Sequence, residues 1–513
     1  MTETRATARR GRSARRASPA VTAFDAAWRQ WVNPYPPVEQ FSEDEVDAIH
    51  NAALKVLREI GLRILSDEAL SLYRDGGFDV TDDGVVRFDS DRVMELMAMA
   101  PSKVTLYGQG DGRDVTIGQG HVGICTTGGT PNFSDIKAGR RPGTLEALDN
   151  LCKVAQAFDV IHMIGPFVEA QDVPPNLRHF AMTRSVLTLT QKVPFVFFRG
   201  TEAVADAYEM LRIVHGLSHE EFSNRPVSYS VANSNSPLQL DLLMCRGIID
   251  AARAGQLTVI TPFTLAGAMA PVTIPGALVQ QHAEALAGLA LAQIVRPGAP
   301  VCYGSFTSNV DMRSGAPAFG TPEYVKAAFG SGQLARRLGL PLRSSGVTAS
   351  NAADAQAAYE TQMSLWGALM GGANLVLHGA GWLEGGLTAS AEKFIIDIEM
   401  LQMFAELFKP VEVTEDTLGL DAISDVGHGG HFFGTAHTLA RFEQAFYSPL
   451  LSDWSNYENY RDRGAVDTTA RAHRIFFDAV AAHEPLPTDP ARLEELDAFI
   501  ARRTAEGGAD IER

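Results

Sequence analysis

Two ionisable side chains stand where a reaction would want them. His378 closes the apolar run LVLHG, and Glu384 sits among glycines in GWLEGG. An imidazole at a strand end can hold a carboxylate or shuttle a proton, and it can equally be a histidine with purely structural hydrogen bonds. A loop carboxylate can neutralise a ligand cation or handle a proton, or it can simply be solvated. These two are the candidate catalytic residues. Rings occupy comparable places: Tyr229, Tyr303, Phe306 and Trp382 each fall at or just past an apolar run. Four rings facing one mouth would hold a quaternary ammonium by cation–π attraction worth roughly 0.5–2 kcal/mol each, with ordinary packing the alternative for any single ring. Asn233 in VANSNSP and Gln356 in DAQAAYE add neutral amides to the candidate substrate contacts.

Other chemistries lack their residues. His428, His431 and His437 in DVGHGGHFFGTAHT match no zinc spacing, so the expectation is no metal site, with His431 facing substrate or serving the structure. The four cysteines, Cys125, Cys152, Cys245 and Cys302, form no C-x-x-C pair and no disulfide framework, which suits a reducing cytoplasm. Neither a dinucleotide fingerprint, a Walker A loop nor a G-x-S-x-G elbow is present. A formal charge of −17 argues against nucleic acid as a partner. No apolar run reaches the roughly 18 residues a membrane span needs. The first twenty residues carry six arginines and no following apolar core of a signal peptide, so they read as a disordered basic tail, with an organelle transit peptide as the alternative.

These side chains need a scaffold. A length of 513 residues fits one large barrel or about three domains of ordinary size. Beyond Thr144, apolar runs of strand length alternate with helix-length segments. They begin at Val160, Val193, Val227, Leu257, Pro300, Leu342 and Asn374, with a weaker eighth near DAISDVG from Asp421. Ser236 before Pro237, Thr321 before Pro322, and Asn351 followed by Asp354 supply helix caps between them. Eight such units close most economically as an α/β (β/α)₈ TIM barrel, an open doubly wound sheet being the rival.

The expected division is a tail over 1–35, an N-terminal helical and hairpin cap with a glycine-rich loop over 36–143, the barrel over 144–445, and a C-terminal helical extension over 446–513. Within the cap, Ser42 and Glu45 form a capping box, opening a helix that Gly61 ends. The segment from Gly120 to Gly143 reads as an ordered loop. In a barrel the chemistry belongs at the carboxyl ends of the strands. The loops there are rich in Gly, Ser, Thr, Asn and Met and poor in Lys and Arg, which suits a small neutral or cationic organic ligand.

Four strings together resemble the trimethylamine:corrinoid methyltransferase family: GGTPNFSDIKAGRRPGTLEALDN from Gly128, YGSFTSNVDMRSGAPAFGTPEY from Tyr303, SSGVTASNAADAQAAYE from Ser344, and GGHFFGTAHTLARFE from Gly429. The resemblance implies a (β/α)₈ barrel that presents a methylated amine to the Co(I) of a separate corrinoid protein, with no cofactor held tightly by the chain itself. It also implies one departure, because Val347 stands where the archaeal trimethylamine enzymes carry pyrrolysine. The chain therefore resembles the non-pyrrolysine branch, which includes demethylases of glycine betaine and related quaternary amines. Other methylated amines, sulfonium compounds, tetrahydrofolate as a methyl partner, and a non-catalytic betaine-binding barrel remain alternatives. Self-association is possible for a barrel with extra C-terminal helices.

Overall fold

The computed structural model describes residues 30–510. Most of the basic opening segment lies outside them. Its last part does not behave as a tail: Trp31–Val32 form a strand that pairs antiparallel with Val122 and His121, and Trp31 is buried.

The fold is mixed α/β. Six parallel strands make its centre: β1 (His121–Ile124), β2 (Tyr229–Ala232), β3 (Leu257–Ile260), β4 (Val301–Gly304), β5 (Leu342–Ser345) and β6 (Leu375–Leu377). β2 to β6 pair in chain order, and β6 pairs parallel with β1. Single parallel bridges join Cys125 to Met163, Met163 to Val193, and Phe195 to Tyr229, so the pairing passes from β1 back to β2 through two further extended stretches. Helices lie between successive stretches, as right-handed crossovers of parallel strands require.

Two expectations about this order fail. The weak eighth run at Asp421 is helical over Leu420–Val426, following Gly419 in the left-handed conformation. The missing strand is instead HVGI, inside the segment read as a loop, which also contains strands Asn132–Asp135 and Gly139–Pro142. Neighbouring Gly, Thr and Pro residues hid a strand whose short side chains are packed by elements distant in sequence. Ser236 does not cap a helix either. That role belongs to Asp241, before helix Leu242–Ala254, and the Ser236 hydroxyl donates to Glu284 at 2.6 Å. Thr321 caps as expected, and of Asn351 and Asp354 it is Asp354 that caps.

The N-terminal region is a helix and hairpin layer. Its first helix, α1 (Glu43–Glu59), opens with the Ser42/Glu45 capping box. It packs with helices Asp67–Asp75 and Ser90–Met99 against α2 (Ile274–Val295). That cover explains why α2 is buried around most of its circumference, Gln281, His282 and Glu284 included. The antiparallel hairpin Val104–Leu106 with Val115–Ile117 inserts Val104, Leu106, Val115 and Ile117 beneath Cys125, Tyr229, Val259, Cys302 and Leu375. These side chains fill the amino-terminal end of the strand layer. The C-terminal helices Thr468–Ala481 and Pro490–Ala505 pack outside α3 (Ala391–Leu407) and helix Thr201–His215 respectively. No helix among the described residues is long and apolar enough to cross a membrane.

Candidate functional site

A cavity of about 560 Å³ opens where the strands end. Phe195 and Phe197 form one wall, with ring centroids 5.0 Å apart, and the Arg199 guanidinium lies 4.0 Å above Phe197. Tyr229 forms part of the floor, bonding through its hydroxyl to the Ile164 carbonyl at 3.1 Å and to Cys125 Sγ at 2.5 Å. Burial pushes the Cys125 thiol up to about 12, so it is a neutral core thiol. The opposite wall runs from Phe263 to Phe306 at 5.1 Å and from Phe306 to Trp382 at 6.3 Å edge to face. His378 lies 4.2 Å from Trp382, ring to ring. Asn233, Ser234 and Ser236 form the rim.

The loop from His378 to Glu384 is held in an unusual backbone course. Both residues have φ of 56°, a left-handed conformation that non-glycine residues rarely adopt, and Gly381 has φ of 92°. Three bonds keep it there. Trp382 Nε1 donates to the Thr348 carbonyl at 3.1 Å, the Gly381 amide donates to Asp397 Oδ2 at 2.8 Å, and the Glu384 amide donates to the Ser350 carbonyl at 2.7 Å. Asp397 is itself paired with Lys393, both without solvent exposure. Burial pushes the Asp397 carboxyl up to about 6 against the pull of that ammonium and of the Gly381 amide.

The cavity collects Tyr229, Asn233, Phe306, His378 and Trp382 from the residues singled out in the sequence. Val347 lies fully buried just behind, in a cluster with Phe319, Tyr324 and Trp382 against which Phe263 and Phe306 pack. The others lie elsewhere. Tyr303 points away from the strand interior and bonds to His282 Nδ1 at 3.0 Å and Gln281 at 3.2 Å on α2, because side chains alternate along a strand. Glu384 is engaged by Arg140 at 2.7 Å and Thr388 at 2.6 Å. Although burial acts upward, those hydrogen bonds and the arginine charge hold its carboxyl below the usual range. Gln356 is exposed on helix Ala355–Met370 and donates to Glu360. His431 is exposed, beside Phe433. His437 bonds to the Asp416 carbonyl at 3.2 Å. Among the described residues, no group of three or more His, Cys, Asp or Glu side chains is arranged to hold a metal ion.

Sequence reasoning passed over Phe195, Phe197, Phe263 and Arg343. The first two could have been found from their alternate spacing in VPFVFFRG, and Arg343 from being a lone charge inside the apolar run LPLRSSGV. Arg343, on a strand, adds a cation to a site whose loops are poor in Lys and Arg. His378 beside it has lost the ordinary basicity of its ring, first through burial and second through the Arg343 charge, and so is neutral.

The sequence profile of the trimethylamine methyltransferase (MTTB) family matches residues 8–508. The chain belongs to this family. It is 35% identical over 477 residues to the glycine betaine methyltransferase of Desulfitobacterium hafniense strain Y51, covering 93% of this chain and 99% of that protein. It is 31% identical to the trimethylamine methyltransferase MttB of D. hafniense strain DSM 10664 / DCB-2, covering 91% and 94% of the two chains. The solved monomethylamine methyltransferase (MtmB) of Methanosarcina barkeri overlays at a TM-score of 0.49 with 12% identity, covering 90% of this chain and 89% of that one.

Proposed function

We propose that this protein removes a methyl group from a betaine-like quaternary amine and delivers it to the Co(I) of a corrinoid carried by a partner protein, acting in the cytoplasm. The observation that carries the reading is the ring-lined cavity at the strand ends, with an inert valine, Val347, buried behind Phe306 and Trp382. The pairing that returns from β6 to β1 supports a (β/α)₈ barrel beginning at His121. On that architecture reacting groups gather where this cavity lies. Glycine betaine methyltransferase is also among the relatives, at 35% identity.

The chemistry asks little of acids or bases. A reduced corrinoid supplies an electron pair for the methyl carbon, the C–N bonding pair stays on nitrogen, and the amine leaves neutral without taking a proton. A neutral His378 and a Glu384 already engaged by Arg140 are consistent with that. The protein's work is alignment in a water-poor pocket. Aromatic walls hold the cation without the tight pairing that would stabilise the ground state more than the transition state.

The test is direct: the purified protein and Co(I) cobalamin, with glycine betaine, a proline-derived betaine or trimethylamine, assayed for methylated cobalamin. The quaternary amines are expected to react and trimethylamine to react poorly. Failure with every quaternary amine overturns the substrate assignment. We also propose self-association, supported by the apolar residues left on the segment after α3, where Phe433, Phe446 and Trp454 are 84%, 85% and 72% exposed.

A further inference from the structure

The cavity lining carries one permanent charge and no group that neutralises it. Arg343, on β5, is 2% exposed, and its guanidinium carbon lies 4.9 Å above the Phe306 ring. Nη1 donates to the Ser305 carbonyl at 3.1 Å, while Nε is buried with no acceptor among the described residues. Among the described residues, neither an aspartate nor a glutamate lines the cavity. The groups that face the guanidinium, Tyr324, Cys302, Cys125 and Tyr229, all have their pKa raised by burial and are neutral at pH 7. Glu284, behind the rim, is occupied by Ser234, Ser236, Gln280 and the Leu238 amide.

A buried guanidinium with an unused N–H is unfavourable until an acceptor arrives, and its planar fork matches a carboxylate. The same charge repels a second cation entering alone. We propose that Arg343 anchors a carboxylate of the substrate, so that the site takes zwitterions bearing a quaternary ammonium and a carboxylate and discriminates against bare quaternary cations. The ammonium end of this ligand rests on the function proposed above, whereas the carboxylate end stands on Arg343 alone. The rings of Phe306 and Trp382 receive one end while the guanidinium stacked on Phe306 receives the other.

Titration calorimetry on the full chain tests this with three probes: glycine betaine, choline, and tert-butylacetate, the carbon isostere of glycine betaine that keeps the carboxylate and lacks the positive charge. Wild type is expected to bind glycine betaine at least roughly 30-fold more tightly than choline, the range of a charge-assisted bidentate contact. Arg343→Met should erase that preference and abolish tert-butylacetate binding. Arg343→Lys should recover part of both, since an ammonium keeps the charge and loses the fork. Choline binding wild type as tightly as glycine betaine overturns the proposal without any variant. Unchanged affinity of Arg343→Met for tert-butylacetate overturns it too, as does failure of wild type to bind either carboxylate. If no quaternary amine is demethylated but the tert-butylacetate affinity still falls in Arg343→Met, the proposed reaction fails and the carboxylate anchor stands.

Discussion

Trp382 and Tyr303 show how two rings next to strand ends come to different uses. Trp382 faces the cavity with its indole N–H fixed on Thr348, whereas Tyr303 faces the helix layer and completes a buried chain in which His50 Nδ1 meets His282 Nε2 at 2.9 Å. Replacing Trp382 by alanine should weaken binding of a quaternary amine about 10-fold, the upper range of a cation–π contact, and calorimetry reads it directly. Tyr303→Phe should leave that affinity alone and lower unfolding stability by about 1 kcal/mol, because His282 Nδ1 loses its partner in a fully buried place. Loss of affinity in Tyr303→Phe would contradict the assignment of its side chain to the helix layer.

At the scale of elements, two buried contacts fasten the layers around the site. α3 reaches the site loop through Asp397, so Asp397→Asn should strand the Lys393 charge and cost on the order of 3 kcal/mol in urea unfolding. It should also raise KM, since the single carbonyl oxygen of asparagine cannot accept from both Lys393 and the Gly381 amide. An unchanged midpoint and KM would mean the loop is held by its other contacts. The second contact joins α1 to α2 through His50 and His282. Burial, then the Arg337 charge, draws His50 down to about 4, and burial holds His282 well below the usual range. With folded-state values below the unfolded 6.5, the unfolded chain takes up protons first as pH falls. The stability these histidines confer is thus complete above about pH 6.5 and declines towards pH 4. Thermal midpoints should fall across that interval and fall less in His50→Gln. Much of this organisation was legible because seven apolar runs carried strand-like residues and Thr321 and Asp354 carried unambiguous caps. β1 was not, since its valine and isoleucine are interrupted by Gly123, whose absent side chain leaves room for Ile117 and Met163. Ring orientation was legible only as far as alternation along a strand could be counted, which is why Tyr303 was misplaced and Arg343 unnoticed.

For the molecule as a whole, the apolar side chains on the segment after α3 predict association. Light scattering on the purified chain should give a mass above that of one copy, and serine at Phe433, Phe446 and Trp454 together should lower it. A single-copy mass at every concentration would refute self-association. The hairpin Val104–Ile117, packed under Tyr229, has a separate consequence for traffic. On the proposed reaction, with the far end stoppered, methyl donor and methyl acceptor would share one doorway. The amine would then enter before the acceptor settles over it and the demethylated product leave after the acceptor withdraws, so initial-rate kinetics are expected to be ordered, with excess acceptor inhibiting.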